Sequence, residues 1–160
     1  MTQQKNKGLE IERKFLVTGN AWKALGTPTV FRQGYLNDEK ERTVRVRVAG
    51  DKGFLTIKGK NTGAVRAEFE YEIAVEDAVK MLETMALRPL IEKTRTVIVY
   101  GGHTWEVDEF MGDNSGLVVA EIELTDESEV FDKPDWIGEE VTGDARYYNS
   151  SLVTHPFTKW

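Results

Sequence analysis

The sequence predicts an α+β domain that is mostly β, with eight strands and short connections forming an antiparallel meander that closes or nearly closes into a barrel. Three observations predict it. Segment after segment alternates apolar and charged residues with a period of two, as a strand with two unlike faces does. Turn residues such as Gly50-Asp51-Lys52-Gly53 and Gly101-Gly102 separate the segments at short intervals. Helical periodicity is confined to a few short stretches.

The first strand spans about residues 8–17 and carries Glu10-Ile11-Glu12-Arg13-Lys14. Its period puts Glu10, Glu12 and Lys14 on one face and Ile11, Arg13 and Phe15 on the other. A short helical piece follows Asn20, and Thr29 to Leu36 reads as the second strand, ended by Asn37-Asp38-Glu39-Lys40. Thr43 to Val48 sets Val44, Val46 and Val48 against Arg45 and Arg47, and Phe54 to Lys58 completes a hairpin. Glu68 to Ile73 alternates strictly. Residues 75–87 read as a helix with Ala78, Met81, Leu82 and Met85 in one stripe, acidic residues at its start and Pro89 as its stop. Leu90 to Tyr100, His103 to Phe110 and Leu117 to Leu124 are the last three strands. A short acidic helix at 126–132 and a helix from Asp144 to Val153 complete the reading. Residues 1–7 read as a loose polar leader and 8–160 as a single domain.

Composition narrows the function. The 160 residues are 40% apolar and 30% charged, a globular balance large enough for a real core. A net charge of −6 argues against nucleic acid as a partner. The chain has no cysteine, which removes thiolate ligands and cysteine nucleophiles and fits a reducing cytoplasm. The N-terminus lacks the apolar run of a signal peptide, and no stretch approaches a membrane span. His103 and His155 read as loop residues, and Trp22, Trp105 and Trp136 as packing groups. Gly59 and Gly63 flank Lys60-Asn61-Thr62, but no strand, Gly-rich loop and helix follow in the order a phosphate loop requires.

The charged face has two geometries open to it. In an ordinary antiparallel sheet it is the solvated outside, and the pattern alone favours that. Its composition points inward. It holds the acids Glu10, Glu12, Glu68, Glu70, Glu106, Asp108, Glu121 and Glu123 and the bases Lys14, Arg45, Arg47, Lys58, Lys93 and Arg95, segregated strand by strand. Inside a barrel such groups need water, metal or a multiply charged ligand. Clustered carboxylates suit a hard divalent cation, and clustered Arg and Lys suit polyphosphate.

Glu10-Ile11-Glu12-Arg13-Lys14 resembles the ExExK signature of the CYTH domain, the triphosphate tunnel metalloenzymes. The resemblance continues in order through Arg45-Val46-Arg47, Thr56-Ile57-Lys58, Arg66-Ala67-Glu68-Phe69-Glu70, Glu92-Lys93-Thr94-Arg95, Glu106-Val107-Asp108, Glu121-Ile122-Glu123 and Glu139-Glu140-Val141-Thr142 with Arg146-Tyr147, covering about residues 9–153. It implies an eight-stranded antiparallel barrel with a charged tunnel, helices packed outside, and Mg2+- or Mn2+-dependent chemistry on triphosphates. Carried over, Glu10, Glu12, Glu121 and Glu123 are the principal metal ligands. Glu68, Glu70 and Asp108 are further acids, for a second metal or for orienting water. Lys14, Arg45, Arg47, Lys58, Lys93 and Arg95 hold the triphosphate, and Glu12, Lys14, Glu70 and Asp108 carry the catalytic assignment. Some relatives place a basic residue of the C-terminal helix near the substrate, for which Arg146 is the candidate. The nearest likeness is to short bacterial inorganic tripolyphosphatases, with nucleoside triphosphates as side substrates. The alternatives are a class IV-type adenylate cyclase, a thiamine triphosphatase, and a polyphosphate or nucleotide sensor without catalysis. The expected partner is a small triphosphate, with neither nucleic acid nor membrane, in a monomer or homodimer.

Overall fold

The structure, a computed structural model, describes residues 8–160; the leader expected over residues 1–7 lies outside them. The alternating segments become strands β1 (Leu9–Val17), β2 (Pro28–Tyr35), β3 (Arg42–Ala49), β4 (Lys52–Gly59), β5 (Val65–Ile73), β6 (Ile91–Tyr100), β7 (His103–Phe110) and β8 (Val118–Glu123). They lie in the order β5-β4-β3-β2-β6-β7-β8-β1, every neighbouring pair antiparallel, and β1 pairs back onto β5. The eight strands therefore form a closed barrel, with no free edge where β1 meets β5.

The expected meander holds within β2–β5 and within β6–β8. It breaks after β1, because the chain crosses through a 3-10 segment, Ala21–Leu25, whose Trp22 is buried in the core beside Phe15 and Trp105. The second strand thus starts beside β6 rather than beside β1.

Closure is brief: Leu9, Glu10 and Ile11 pair with Ala67, Arg66 and Val65. Farther along β1 that edge is taken by a ninth, four-residue strand, β9 (Ile137–Glu140), which pairs Glu140 with Phe15 and Ile137 with Val17. Nothing in the sequence between Asp126 and Glu140 alternates for long enough to announce it.

Directly opposed residues of an antiparallel pair share a face, so the register decides which face turns inward. Arg45 lies opposite Thr56 and Tyr35, Arg47 opposite Gln33, Lys58 opposite Glu68, Lys14 opposite Glu121, and Arg95 opposite Asp108. These residues face the lumen, and the apolar residues between them face out. The usual arrangement of a solvated polar face, favoured by pattern alone, is inverted.

The outward apolar face needs covering. Val46 and Leu55 pack beneath Ala78 and Leu82 of α1 (Val75–Thr84), the buried stripe that the helical spacing predicted. Truncating Leu82 there would cost about 2–5 kcal/mol. On the other side, Phe15, Ile98, Trp105, Val107, Ala120 and Ile122 are covered by Trp22, Phe131 and Trp136. A third cluster sits within one end of the barrel. Tyr35, Ile91, Phe110 and Val119 meet Tyr147, Leu152 and Val153 around α2 (Asn149–Thr154), which closes that end.

Three expected helices are corrected. The first ends at Thr84 rather than 87, since the N–H of Leu87 turns away to the carbonyl of Tyr35. Residues 126–132 form turns and coil: the Asp126 carboxylate accepts from the N–H and hydroxyl of Ser128, and Glu129 accepts from the N–H and hydroxyl of Thr125. Side chains that bond local backbone in this way compete with a helix. The span from Asp144 to Val153 divides into a 3-10 turn, Ala145–Tyr147, and α2, with the Asp144 side chain capping the N–H of Arg146.

Candidate active site

The lumen contains a cavity of about 230 Å³. Around it the sheet order separates the charges. A basic arc runs through Lys58 on β4, Arg45 and Arg47 on β3, and Lys93 and Arg95 on β6. An acidic arc runs through Glu106 on β7, Glu121 and Glu123 on β8, Glu10 and Glu12 on β1, and Glu68 and Glu70 on β5. Lys14, on β1, also lines the cavity and lies 3.9 Å from Glu121. Alternation put each side chain on the inner face; closure brought the two arcs opposite one another.

Most of the cations are tied to acids. Lys58 Nζ lies 3.2 Å from Glu10 and 3.3 Å from Glu68. Arg45 donates to Thr56 Oγ1 at 3.2 Å and to Glu70 at 3.4 Å. Asp108 is the deepest anchor, 2% exposed, accepting from Lys93 Nζ at 2.7 Å and from Arg95 Nε and Nη2 at 2.7 and 2.9 Å. Burial alone would raise the Asp108 carboxyl, but Arg95 and Lys93 outweigh it and hold it at about 2. Lys93 is fully buried, and burial brings it down to about 7: Asp108 divides its charge between two cations, while Arg95 and Arg47 push Lys93 further down. Burial likewise lowers Lys58, with Arg45 and Arg66 opposing the pull of Glu10.

Arg47 differs. It is buried, donates from Nε to Gln33 Oε1 at 2.9 Å, and among the described residues has no carboxylate within ion-pair distance. Burial, then Arg45 and Arg95, lower it to about 9. A buried guanidinium in this state is set to receive an anion, and its fork of donors suits phosphate.

On the acidic side, burial, Glu10 and Glu121 push the Glu12 carboxyl well above the ordinary range, and Lys58 offsets this only in part. For Glu121, burial acts upward, but Lys14 and a hydrogen bond with Glu12 carry it well below. Crowding thus biases Glu12 towards its neutral form and Glu121 towards its charged form, as happens when the local positive charge is insufficient for several acids. A divalent cation would supply that charge, and the oxygen donors suit Mg2+ or Mn2+. Among the described residues no three acidic or histidine side chains converge into a ready metal cage. Mg2+ does not require one, since it keeps several waters and takes one or two carboxylates together with phosphate oxygens. The donor set therefore fits.

Of the residues expected at the site, all but two line the cavity. Asp108 stands behind Lys93 and Arg95. Arg146 is exposed, pairs with Asp144 at 2.8 Å and stacks against Tyr147 and Trp160, so it is not brought to the lumen. The cavity also includes groups that the alternation did not single out. Arg66 lies opposite Glu10 and donates to Gly59 O and Thr43 Oγ1. Its position inside the Arg66-Ala67-Glu68 alternation is legible in the sequence, where the resemblance assigns roles only to the acids of that segment. Thr142 follows β9, Tyr148 precedes α2 and Asn149 opens it: Thr142 accepts from the Lys14 N–H, and Asn149 accepts from Lys93 Nζ. Asn61 donates to the Tyr148 hydroxyl across the cavity wall. His103 opens β7 and pairs with Glu129 away from the lumen.

Comparison with known proteins agrees with this geometry. The model of the CYTH domain matches residues 8–155. The chain is 57% identical over 150 residues to an inorganic triphosphatase of Acetivibrio thermocellus, covering 94% of this chain and 96% of that protein. It is 37% identical over 148 residues to an inorganic triphosphatase of Nitrosomonas europaea, covering 90% and 96%. A crystal structure of an inorganic triphosphatase superposes with a TM-score of 0.65 at 35% identity, covering 90% of this chain and 97% of the other. A Pyrococcus horikoshii protein at 18% identity, with a TM-score of 0.60 and coverage of 94% and 99%, shares the fold.

Proposed function

Because the chain belongs to the CYTH domain family, we propose that it is a metal-dependent phosphoanhydride hydrolase that cleaves inorganic triphosphate to pyrophosphate and phosphate. The observation that carries this reading is the cavity itself: a basic arc spread over three strands faces an acidic arc across one lumen. Both named relatives are inorganic triphosphatases, and the span of cations suits a chain of three phosphates.

In this reading Arg45, Arg47, Lys58, Lys93 and Arg95 bind and align the phosphate chain, Arg as bidentate forks and Lys as point charges. Lys14, which donates to the Tyr147 carbonyl at 3.3 Å and faces Glu121, joins the basic arc to the metal site. Asp108 acts through Lys93 and Arg95, holding both in the orientation they present to the lumen. Glu10, Glu12, Glu121 and Glu123 would hold Mg2+ or Mn2+, which when bound neutralises phosphate charge and polarises the phosphorus. Glu70, held by Arg45 and Thr56, and Glu68 are the remaining acids able to orient the attacking water. No protein nucleophile is required, and the chain has no cysteine to offer one. Among the described residues no helix is long and apolar enough to cross a membrane.

The test is phosphate release from tripolyphosphate, pyrophosphate, ATP and thiamine triphosphate, each with and without Mg2+. Metal-dependent release that is fastest from tripolyphosphate supports the reading. Conversion of ATP to cyclic AMP, preference for thiamine triphosphate, or binding without turnover would replace it.

A further inference from the structure

Phe31 is the one large buried apolar side chain among the described residues that belongs to none of the three core clusters. It is 9% exposed, sits on β2, and lies opposite Lys93 in the register. Its companions are cations. The guanidinium carbons of Arg47 and Arg95 each lie 4.8 Å from its ring centroid. The sheet order explains how: β2 runs between β3, which carries Arg47, and β6, which carries Arg95. The two arginines therefore approach the same ring from the strands on either side. Phe31 itself does not line the cavity, whereas both arginines do.

Two like charges facing one lumen repel, and among the described residues only one of these has carboxylate partners. Arg95 is held by Asp108 and lies 3.3 Å from Glu106 and 3.7 Å from Glu121; Arg47 has the Gln33 oxygen and the ring. The negative face of an aromatic ring attracts a guanidinium without competing for its N–H donors, which stay available to a ligand. A carboxylate in the same place would occupy those donors and repel a phosphate.

We propose that Phe31 is a positioning residue for anion recognition: its ring holds the Arg47 guanidinium at a fixed separation from the carboxylate-held Arg95 and leaves the Arg47 donors to the lumen, so that the pair binds one polyphosphate chain. This rests on the proposed triphosphatase reading and names what orients its basic arc. An apolar side chain of similar bulk would fill the space without holding the charges.

Calorimetric titration with a non-hydrolysable imido analogue of tripolyphosphate in the presence of Mg2+, together with steady-state kinetics on tripolyphosphate, tests it. Phe31→Leu should raise Kd about tenfold, equivalent to about 1.4 kcal/mol, with KM rising more than kcat falls. Phe31→Tyr should stay near wild type. A pentafluorophenyl ring at the same position keeps the shape but not the negative face, and should weaken binding as Phe31→Leu does while leaving the melting temperature in place. If Phe31→Leu fails to fold, the fluorinated ring decides. Wild-type affinity in the fluorinated protein, or equal losses in Phe31→Tyr and Phe31→Leu, would overturn the inference while wild type still binds the analogue. Absence of binding by wild type would instead remove the triphosphatase reading beneath it.

Discussion

Replacing Asp108 by asparagine removes the charge that two buried cations share. Lys93 has no exposed surface and Arg95 little, and Asp108 bonds both at 2.7 Å. The carboxyl is held from 3.8 down to about 2, a preference for the folded state worth roughly 2–3 kcal/mol at neutral pH by linkage. Breaking buried ion pairs from one side costs about 3–5 kcal/mol. The amide keeps one oxygen to accept from Arg95, which places the loss at about 3 kcal/mol. In a domain of this length that lowers Tm by about 6–12 °C. Thermal unfolding followed by circular dichroism at neutral pH measures it. The sign with pH is fixed: a lowered carboxylate stabilises above 3.8, and that contribution is lost as pH falls towards 2. The gap between Asp108→Asn and wild type should therefore close in acid. Tripolyphosphate should stabilise the variant, because the anion replaces the missing negative charge beside Lys93 and Arg95. A melting temperature within about 2 °C of wild type at neutral pH would contradict the reasoning, since buried cations left unpaired carry a large penalty.

Glu12→Gln should abolish metal-dependent phosphate release while circular dichroism stays native; near-normal release would remove Glu12 from the metal site. Because Glu12 is held well above its ordinary value, adding Mg2+ to the wild type in weak buffer should release protons, and Glu12→Gln should release fewer. Arg47→Ala should raise KM for tripolyphosphate by at least about tenfold, as loss of a charged contact does, with Arg47→Lys recovering only part of it; unchanged kinetics in both would place Arg47 outside the phosphate site. Burial and the neighbouring cations bring Lys93 down to about 7; since the anion favours its charged form, kcat/KM should decline as pH rises through that value, and Lys93→Met should flatten the decline.

The strands were legible because charged residues recur at alternate positions over long runs, as in Thr43 to Val48 and Glu68 to Ile73. The direction in which that face turns was not. Periodicity is the same for a solvated and an enclosed face; only the segregation of acids and bases by strand, and the resemblance built on it, pointed inward. The crossing of the chain after β1 depends on Trp22 reaching Trp105 and Phe15, a tertiary contact with no local pattern. Tyr148 and Asn149 enter the cavity from a segment without alternation, so nothing marked them; Thr142 belongs to the Glu139-Glu140-Val141-Thr142 likeness, which assigned it no role. Arg146 carries the right charge near the C-terminal helix, but Asp144, two residues away, claims it on the outside. Phe31 carries no signal of its own within Thr29 to Leu36, and its place between two arginines follows from β2 lying beside β6 rather than β1.

The comparison of tripolyphosphate with pyrophosphate tests the central claim most directly, because the claim is that cations on β3, β4 and β6 act together on one chain of three phosphates. Pyrophosphate engages part of that set and leaves other buried cations without a partner, at about 1–3 kcal/mol for each lost charged contact. Two such losses predict kcat/KM for tripolyphosphate at least about tenfold above that for pyrophosphate with Mg2+ present, with pyrophosphate and phosphate accumulating as products. Equal kcat/KM for the two substrates would contradict a site built across three strands.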